Sequence, residues 1–524
     1  MSQVRTADFP VTWENPADAA LTWRPDKMHS PDMVTPLGFD LYIGPFIGGF
    51  GMMKATYHNH YVFYARTAPP PNPGAMSAPD LGAVKEGGRR WREVVLPEVL
   101  VYDRHYRGTD FDSMSAEELG DELDGLVKVR RRCGQLHTMA TFPWWVGMEH
   151  LLETYRELTG GDDLGAVRLV QGHGNKSVEA GEALWRLSRL AAGIPAARKA
   201  LEWKVSVADA VAGLEGRPEA RTFVEEWTEF LDEFGWRSGM FEFAAPTWFE
   251  EPEVPWSQVR AYMEMTEYDP RAEQERLAAE RKEAITQALA GLAPEKRERL
   301  AKAIEAATSV VSILEDHNYY IDQRVGALPR RLALAAGRRL VSMGQLAEAA
   351  DVFYLRHAEL RSALLGQSGV QELAEACKAG MKEWASVPLP EYIGAAPEVV
   401  EEGPDRFFGG GRLRSERPGE LKGHAASAGV ARGPARVLGS LDEAGRLRPG
   451  DVLVTRATMP PWTPLFAVAS AVVTETGGVL SHSAVTAREY GLPAVLSVEN
   501  ATRLIGDGQL VEVNGSEGVV RILK

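Results

Sequence analysis

The sequence predicts a multidomain protein in which a large, mainly α-helical region is followed by a small α/β domain. Three observations support this fold class. The length of 524 residues corresponds to about three domains of roughly 150 residues each. Helical patterns dominate from Ser115 to about residue 220 and again over residues 268–308. Near the C terminus, the mostly apolar run Ala467–Val473 leads through a glycine pair into a short helical pattern.

Composition argues against several classes of partner. Hydrophobic residues make up 44% and charged residues 25% of the chain, as in an ordinary globular protein. The formal net charge of −15 argues against nucleic acid or an anionic membrane surface as a partner. Since the sequence shows neither an apolar run of transmembrane length nor a signal peptide, a cytoplasmic protein is expected. The two cysteines, Cys133 and Cys377, make neither a disulfide framework nor a zinc site, and no metal-binding residues are predicted.

The first part of the chain is predicted to be irregular. Residues 1–75 are rich in aromatic residues and methionine, and their glycine-rich stretch Ile47–Lys54 lacks the ending of a phosphate-binding P-loop. A loop is predicted for residues 76–95 because of four residues: Pro79, Gly82, Gly87 and Gly88. Helices are expected to follow, one capped by Ser115 and a later one capped by Ser177.

An apolar segment within the helical region, Met139–Met148, has two interpretations. Its aromatic side chains, in particular Trp144 and Trp145, would line a pocket for a hydrophobic substrate. Aromatic residues at this density also form ordinary protein cores. The sequence leaves both interpretations open.

A later segment concentrates side chains that can handle protons. On one helix, four of them are predicted to converge on a substrate hydroxyl: Asp316, His317, Tyr320 and Arg324. His317 would remove the hydroxyl proton, and Asp316 or Asp322 would orient the imidazole ring. The alternative is an interior polar network that joins two helices.

Proline and glycine residues interrupt the helical pattern over residues 388–420. We therefore predict a helical domain at residues 1–397, a flexible linker at 398–419 and an α/β domain at 420–524. As a flexible coil, the linker would span roughly 25 Å, and on the order of 70 Å fully extended. Such a length suits a domain that moves between two sites, and an ordinary connector has the same composition.

The most informative stretch is Thr474–Val495, because it joins a strand to a helix through the glycine pair Gly477-Gly478. Ser481 is expected to cap a helix that runs to Tyr490 and stops at Gly491 and Pro493. His482 therefore lies in the first turn of a helix. The positive end of the helix dipole and the backbone N–H groups of that turn favour a bound phosphate.

These residues together predict a phosphorylated histidine. The imidazole of His482, with an ordinary pKa of about 6.5, is largely neutral at pH 7 and nucleophilic. Arg488, about two turns along the helix, is expected to donate to phosphate oxygens. Backbone and hydroxyl groups near the helix start are expected to bind the same phosphate: Thr476, Gly477, Gly478, Ser481 and Ser483. A structural histidine is the alternative, and the agreement of these neighbours weighs against it.

This motif resembles the phosphohistidine swivelling domain of the PEP-utilising enzyme family, and the resemblance covers roughly the last hundred residues. Similar segments lie on both sides of it: Gly429–Val437, Gly450–Val454, Pro461–Leu465, Asp507–Gln509 and Asn514–Gly518. The resemblance implies that His482 is the phosphorylated residue. Earlier segments, including Gly235–Gly239, resemble the central domain of rifampin phosphotransferases, although Phe243 stands where an acidic residue is expected after Glu242.

In the resembled family the phosphoryl donor is ATP, bound by a separate domain that we do not recognise in this sequence. The arrangement is similar to that of split phosphotransferases of the phenylphosphate synthase type. The resemblance therefore implies a partner subunit of the ATP-grasp type that binds ATP with Mg²⁺. It also implies transfer from His482 to a hydroxyl of a phenol or another small hydrophobic alcohol.

Two other functions are kept as alternatives. One is an antibiotic or natural-product phosphotransferase with the same mechanism and a larger acceptor. The other is a regulatory phosphocarrier that catalyses no transfer to a small molecule. The size of the helical region argues against the carrier, since a carrier needs no acceptor domain.

Overall fold

The structure, a computed structural model, describes residues 9–26, 30, 32–68, 79–203, 205–239, 241–396, 413, 415 and 417–523. Within these residues the chain forms a large, mainly helical region followed by a small α/β domain, which confirms the predicted fold class. Most of the predicted linker, 398–419, lies outside the described residues, so the linker remains a prediction.

One long helix, Ala116–Thr159, forms the centre of the helical region. Its N terminus has a capping box, in which the Ser115 side chain accepts from the Glu118 backbone and the Glu118 carboxylate accepts from the Ser115 backbone. Gly160, with φ of 72°, ends the helix in the left-handed conformation that glycine adopts without strain. Because 16 of its residues are buried, the helix is packed on several sides and serves as a scaffold for neighbouring helices.

Further helices pack around this scaffold. The α-helices of the region are Pro36–Gly38, Gly44–Gly49, Leu81–Arg90, Leu96–Gly108, Asp163–Val167, Lys176–Gly193, Pro195–Glu202, Val207–Glu215, Arg221–Phe234, Glu253–Glu264, Pro270–Leu289, Pro294–Thr308, Ile313–His317, Val325–Ala327, Pro329–Ser342, His357–Leu364 and Val370–Trp384. Three segments are π-helical: Phe39–Ile43, Trp91–Val95 and Asn318–Arg324. Short 3₁₀ turns lie at Pro16–Ala20, Phe111–Ser113, Arg168–Val170, Pro218–Ala220 and Ala349–Tyr354. Among the described residues, no helix has the length and apolar character needed to span a bilayer.

The first part of the chain is more regular than predicted. An antiparallel sheet has the strand order β2-β3-β1-β4 and is formed by β1 (Thr22–Pro25), β2 (Met53–His58), β3 (Tyr61–Arg66) and β4 (Ile393–Gly394). The turn between β2 and β3 consists of Asn59 and His60, with φ of 50° and 70°. Two positive φ values are typical of a tight hairpin turn, and the absence of glycine there explains why the pattern gave no turn signal.

The loop predicted for residues 76–95 is wrong over most of its length, because helix Leu81–Arg90 continues into the π-helix Trp91–Val95. Its glycines serve helix packing. A Cβ atom on Gly87 would lie 2.3 Å from Pro143 of the long helix, and one on Gly88 would lie 2.4 Å from the Ser309 carbonyl. These glycines therefore allow close contact between helices.

The N-cap predicted at Ser177 is also wrong by two residues. Helix Lys176–Gly193 is capped by Asn175, whose side chain accepts hydrogen bonds from the Ser177 and Val178 backbone N–H groups. The Ser177 side chain is thereby left to contact another element, as described below.

The C-terminal domain is an eight-stranded sheet with short helices. Its strands are β5 (Glu420–Lys422), β6 (His424–Ser427), β7 (Val430–Val437), β8 (Val452–Thr455), β9 (Ala471–Thr474), β10 (Ala494–Leu496), β11 (Leu510–Asn514) and β12 (Val519–Ile522). The order is β5-β12-β11-β7-β8-β9-β10-β6, and the four central strands β7 to β10 are parallel. The helices are Leu441–Arg446 and Pro460–Trp462 (both 3₁₀), Thr463–Val468, His482–Glu489 and Ala501–Leu504. Helix His482–Glu489 therefore lies in the connection between the parallel strands β9 and β10.

We expect two glycines of the long helix to respond oppositely to alanine. A Cβ atom on Gly134 would lie 1.9 Å from the Phe46 carbonyl oxygen, whereas one on Gly125 would meet no atom within 4 Å. Gly134→Ala should lower the apparent stability by roughly 1–3 kcal/mol through overpacking. The matched control Gly125→Ala should raise it by up to about 1 kcal/mol through helix propensity. Denaturant unfolding followed by circular dichroism measures both, and equal effects would contradict this packing.

Candidate functional site

His482 lies where the sequence predicts it, in the first turn of a helix that follows a glycine-containing loop. The helix spans His482–Glu489, and the Ser481 side chain caps it by accepting from the Ala484 backbone N–H. Gly477 has φ of 103°, a value that favours glycine. The His482 side chain is 11% exposed, so this imidazole is mostly covered by the surrounding protein.

The hydroxyls predicted to bind phosphate make local hydrogen bonds in this structure. Ser483 shares a hydrogen bond of 2.7 Å with Thr458, and Thr476 donates to the Arg456 carbonyl at 3.3 Å. Ser481 is the N-cap. These contacts shape the loop around Gly477 and Gly478, and phosphate binding by these residues stays a prediction.

Arg488 does not lie where a phosphate ligand is required, and this part of the prediction is corrected. Its buried guanidinium donates to the carbonyl oxygens of Ala426 and Val479, at 2.9 and 2.8 Å. Both partners belong to the same domain as Arg488. The arginine therefore ties the helix to strand β6 and to the glycine loop, because its donor group is directed into the domain.

The contact that defines the site joins the two domains. Nδ1 of His482 lies 2.8 and 2.9 Å from the two carboxylate oxygens of Glu315, which belongs to helix Ile313–His317 of the helical region. A carboxylate only accepts, so Nδ1 carries a proton, and in the neutral ring Nε2 then holds the lone pair. Sequence reasoning missed Glu315, although this residue directly precedes the predicted Asp316 and His317.

Glu315 is held in its charged form despite nearly complete burial. Burial alone raises the pKa of this carboxyl, but His482, a hydrogen bond from Ser177 and the nearby His317 together lower the pKa below its ordinary value. The Ser177 hydroxyl donates at 2.7 Å, and the Glu315 side chain is 1% exposed. A buried carboxylate without such partners would be costly, so the pairing favours the contact between the two domains.

Further contacts hold the α/β domain against the helical region. The buried Arg237 donates to the Pro460 carbonyl at 3.0 Å, and Tyr262 donates to the Pro464 carbonyl at 2.9 Å. Glu489, at the end of the His482 helix, accepts from the Gly172 backbone N–H at 2.8 Å. Each of these contacts joins a side chain of one domain to a backbone group of the other, so the position of the α/β domain depends on Arg237, Tyr262 and Glu489.

The residues predicted to converge with His317 mostly form an interior network instead. Asp316 accepts from the Lys176 backbone N–H at 3.1 Å. Arg324 pairs with Asp103 at 2.7 Å and with Glu233 at 2.9 Å. These contacts form an interior polar network, which was the alternative interpretation of this segment, because they join helices that are distant in sequence.

Tyr320 belongs to the same interior region. Its ring lies 6.4 Å from that of Trp91 and 4.7 Å from that of Tyr319. The predicted cluster is therefore divided. Tyr320 packs in an aromatic group, whereas His317 contacts His137 and Asp322.

His317 belongs to a second cluster, with His137 and Asp322. The ring centroids of His137 and His317 are 4.6 Å apart, and Nε2 of His317 lies 3.5 Å from Oδ2 of Asp322. Residues five apart on an α-helix point about 140° away from each other. The π-helical segment Asn318–Arg324 is wider and brings residues five apart almost one full turn round, so Asp322 reaches the side of His317. Of the two predicted ring partners, Asp322 is the one in contact.

A cleft lies between the helical region and the loop Met459–Pro461 of the α/β domain. It encloses about 490 Å³ of space between side chains, part of which is open to solvent. Aromatic residues form one part of its lining: Tyr42, Trp236, Phe241 and Phe243. Polar residues form another: Glu242, Asn318, Asp322 and Gln323. We call this the interdomain cleft, and its mixed lining is typical of small-molecule sites.

Trp144 and Trp145 do not line the interdomain cleft. Trp144 is 3% exposed and belongs to the main hydrophobic core, and Trp145 packs against that core. Both lie in the middle of the long helix, next to Pro143. These positions agree with the interpretation of Met139–Met148 as part of the protein core.

Comparison with known proteins is consistent with this geometry. Residues 137–315 match the family model for the fourth domain of rifampicin phosphotransferase, and residues 447–518 match that for the mobile domain of PEP-utilising enzymes. The first match begins at His137 and ends at Glu315, and the second contains His482. Both halves of the contact between the domains therefore fall within the matched residues.

Individual proteins are also similar to this chain in sequence. The chain is 31% identical to chondramide synthase of Chondromyces crocatus, over 98% of this chain and 14% of that protein. It is 30% identical to an uncharacterized phosphotransferase of Bacillus subtilis, over 74% and 47%, and 33% identical to rifampicin phosphotransferase of Streptomyces sviceus, over 60% and 36%. The chain thus spans less than half the length of each of these relatives. Fold and matches together define a protein with a mobile domain of the PEP-utilising enzyme type. The chain belongs to the PEP-utilising enzyme family.

Glu242, in the interdomain cleft, should make stability depend on pH. Burial raises the pKa of this carboxyl from 4.5 to about 7, against hydrogen bonds from Thr35 and Ala244 and the charge of Arg330. Between those values the folded protein holds the proton more tightly than the unfolded chain, so stability falls as pH rises. We therefore expect the thermal unfolding midpoint of Glu242→Gln, measured relative to that of the wild type, to increase from pH 5 to pH 8. A constant difference would contradict this.

Proposed function

We propose that this chain is a phosphotransferase subunit that carries a phosphoryl group on His482 from ATP to the hydroxyl of a small hydrophobic acceptor. The observation that carries the proposal is the pairing of His482 Nδ1 with the buried Glu315 of the helical region. Membership of the PEP-utilising enzyme family supports it. We further propose that a separate ATP-grasp subunit binds ATP and Mg²⁺.

In the first half-reaction, Nε2 of His482 attacks the β-phosphoryl group of ATP. The products are phosphohistidine, AMP and inorganic phosphate, with one water consumed. Nε2 is the attacking atom, because in the docked position Nδ1 faces Glu315 and only a phosphoryl group on Nε2 is compatible with that contact. This step requires the α/β domain to leave the position described above and to reach the donor site. The linker predicted at residues 398–419 would allow that movement.

In the second half-reaction, the bond between phosphorus and Nε2 breaks and the electron pair returns to Nε2. Glu315 keeps Nδ1 protonated, so the leaving group is a neutral imidazole and the charged intermediate is stabilised by a carboxylate. The acceptor oxygen forms the new bond to phosphorus. Its proton passes to His317, whose Nε2 faces Asp322 at the edge of the interdomain cleft.

The proposed acceptor is a phenol or another hydrophobic alcohol. The aromatic lining of the interdomain cleft favours an apolar body, and the polar residues beside it favour a hydroxyl. The second candidate is a larger natural product, which is favoured by the match to the rifampicin phosphotransferase domain. A regulatory carrier is the least favoured, since Glu315 has no evident use in a protein that only displays phosphohistidine.

Phosphate labelling tests the proposal. The chain is incubated with ATP labelled at the β or the γ position, with and without the product of a neighbouring ATP-grasp reading frame. We expect acid-labile label on His482 from the β position when the partner is present. No label under any condition would contradict the proposal, and label without the partner would contradict the separate donor subunit.

We expect His482→Ala to abolish labelling and transfer without unfolding the protein. The imidazole lies at the contact between the two domains, so its loss weakens the pairing with Glu315 without unfolding either domain. The measurement is acid-labile label together with a circular dichroism spectrum. A correctly folded variant that still transfers phosphate would overturn the role of His482.

We expect Glu315→Gln to separate the two half-reactions. Labelling of His482 should be nearly normal, while transfer from the labelled chain to an acceptor should slow by about 10²-fold or more, as with other lost electrostatic partners. The matched control is Asp316→Asn, since Asp316 is hydrogen-bonded to Lys176 and Ser312 of the helical region and the amide retains an oxygen acceptor. Equal transfer rates in the wild type and Glu315→Gln would remove Glu315 from the mechanism.

A further inference from the structure

The cluster of His137, His317 and Asp322 contains three groups that are typical metal ligands. Oδ2 of Asp322 lies 3.5 Å from Nε2 of His317 and 3.8 Å from Nε2 of His137. One ligand atom from each of the three residues lies within 4.8 Å of the other two. Two imidazoles and one carboxylate with open positions form a recurrent site for divalent transition metals.

The hydrogen bond of His317 determines which ring nitrogen can bind a metal. Its Nδ1 lies 2.8 Å from the Ile313 carbonyl oxygen, which can only accept, so Nδ1 must carry a proton. In the neutral ring, Nε2 then presents a lone pair towards the Asp322 carboxylate. Two acceptors that face each other at 3.5 Å repel, so this pair needs a positive charge, which either a proton on Nε2 or a metal ion bound by both groups supplies. A backbone carbonyl bound to the other ring nitrogen is the usual support of a metal-binding histidine.

His137 is held in place by aromatic neighbours. Its ring stacks on Phe50 with centroids 4.9 Å apart and meets the edge of Phe46 at 5.3 Å. The long helix fixes its backbone. The three side chains are thus positioned by a long helix and a π-helix, which are rigid elements.

We propose that His137, His317 and Asp322 bind one divalent first-row transition metal ion, such as Zn²⁺, Mn²⁺ or Fe²⁺, at the edge of the interdomain cleft. Bonds of about 2.1 Å place the ligand atoms of a tetrahedral site about 3.4 Å apart, close to the two nitrogen–oxygen separations observed. The pair of imidazoles favours a transition metal over Mg²⁺ or Ca²⁺.

The surrounding charges are compatible with such an ion. Arg130 is the neighbouring cation, since its guanidinium lies 4.1 Å from the ring centre of Tyr42, whose hydroxyl contacts the Asp322 backbone. Carboxyl groups lie nearby as well: Asp322, Glu242 and Glu315. Asp322 and Glu315 offset the two charges of the ion, whereas Glu242, with its pKa raised to about 7, is partly protonated at neutral pH.

The metal would also refine the proposed function, and this role rests on that function. An acceptor hydroxyl bound to the ion would lose its proton at a lower pH, because a metal stabilises the alkoxide or phenolate. His317 would then act on the hydroxyl through the ion, and the proton would pass to solvent. Binding of the metal itself does not depend on phosphotransfer.

The test measures binding without turnover. The full chain is treated with a chelator and titrated with Co²⁺, whose visible absorption reports coordination, and Zn²⁺ is then added as a competitor. We expect one Co²⁺ per wild-type chain, displaced by Zn²⁺ and not by Mg²⁺. The affinity of His137→Gln and of Asp322→Asn should fall by at least about tenfold, given the loss of a direct ligand.

His150→Gln is the matched control, because His150 lies on the same long helix and outside the cluster. We expect it to bind Co²⁺ like the wild type. X-ray absorption of the wild-type Co²⁺ complex needs no variant and should show two imidazole ligands. The proposal is overturned if the wild type binds no Co²⁺, if all variants bind it equally, or if the spectrum lacks imidazole ligands. Labelling of His482 is measured separately, so its failure would count against the proposed function alone.

Discussion

The structure depends on one buried contact between domains, the pairing of His482 with Glu315. A carboxylate in a dry interior is stable only with partners, and Glu315 has two, the His482 imidazole and the Ser177 hydroxyl. When the α/β domain moves away, Ser177 stays with the carboxylate and water must replace His482. The same contact therefore favours the docked position and sets which ring nitrogen of His482 is available for chemistry.

The local structure around His482 could be predicted from the sequence. Ser481 and the following glycine and proline mark a short helix, and the structure has that helix at His482–Glu489. Arg488 shows the limit of the same reasoning, because the pattern gives its spacing along the helix and not the neighbour it meets. Its guanidinium binds the carbonyls of Ala426 and Val479 inside the domain.

The parts that were missed depend on tertiary contacts or unusual backbone. His137 lies 180 residues before His317, and no spacing rule connects them. Asp322 was one of two residues expected beside the His317 ring, and the choice between them depended on the π-turn, since an α-helical projection separates Asp322 from His317. Glycine was misinterpreted for a related reason: Gly87 indicates a turn by composition, yet it lies where a helix packs closely on Pro143. In each case, the contact depends on which element of the fold packs against the residue, and the sequence pattern alone does not give that element.

The central claim is that Glu315 holds Nδ1 of His482 so that Nε2 carries the phosphoryl group to the acceptor. The most direct measurement is the position of phosphate on the ring, determined by NMR or by chromatography of phosphohistidine isomers from the digested chain. The structure predicts phosphate on Nε2, with Nδ1 protonated. Phosphate on Nδ1 would contradict it, because a phosphoryl group there would face the Glu315 carboxylate and the domain could not dock as described.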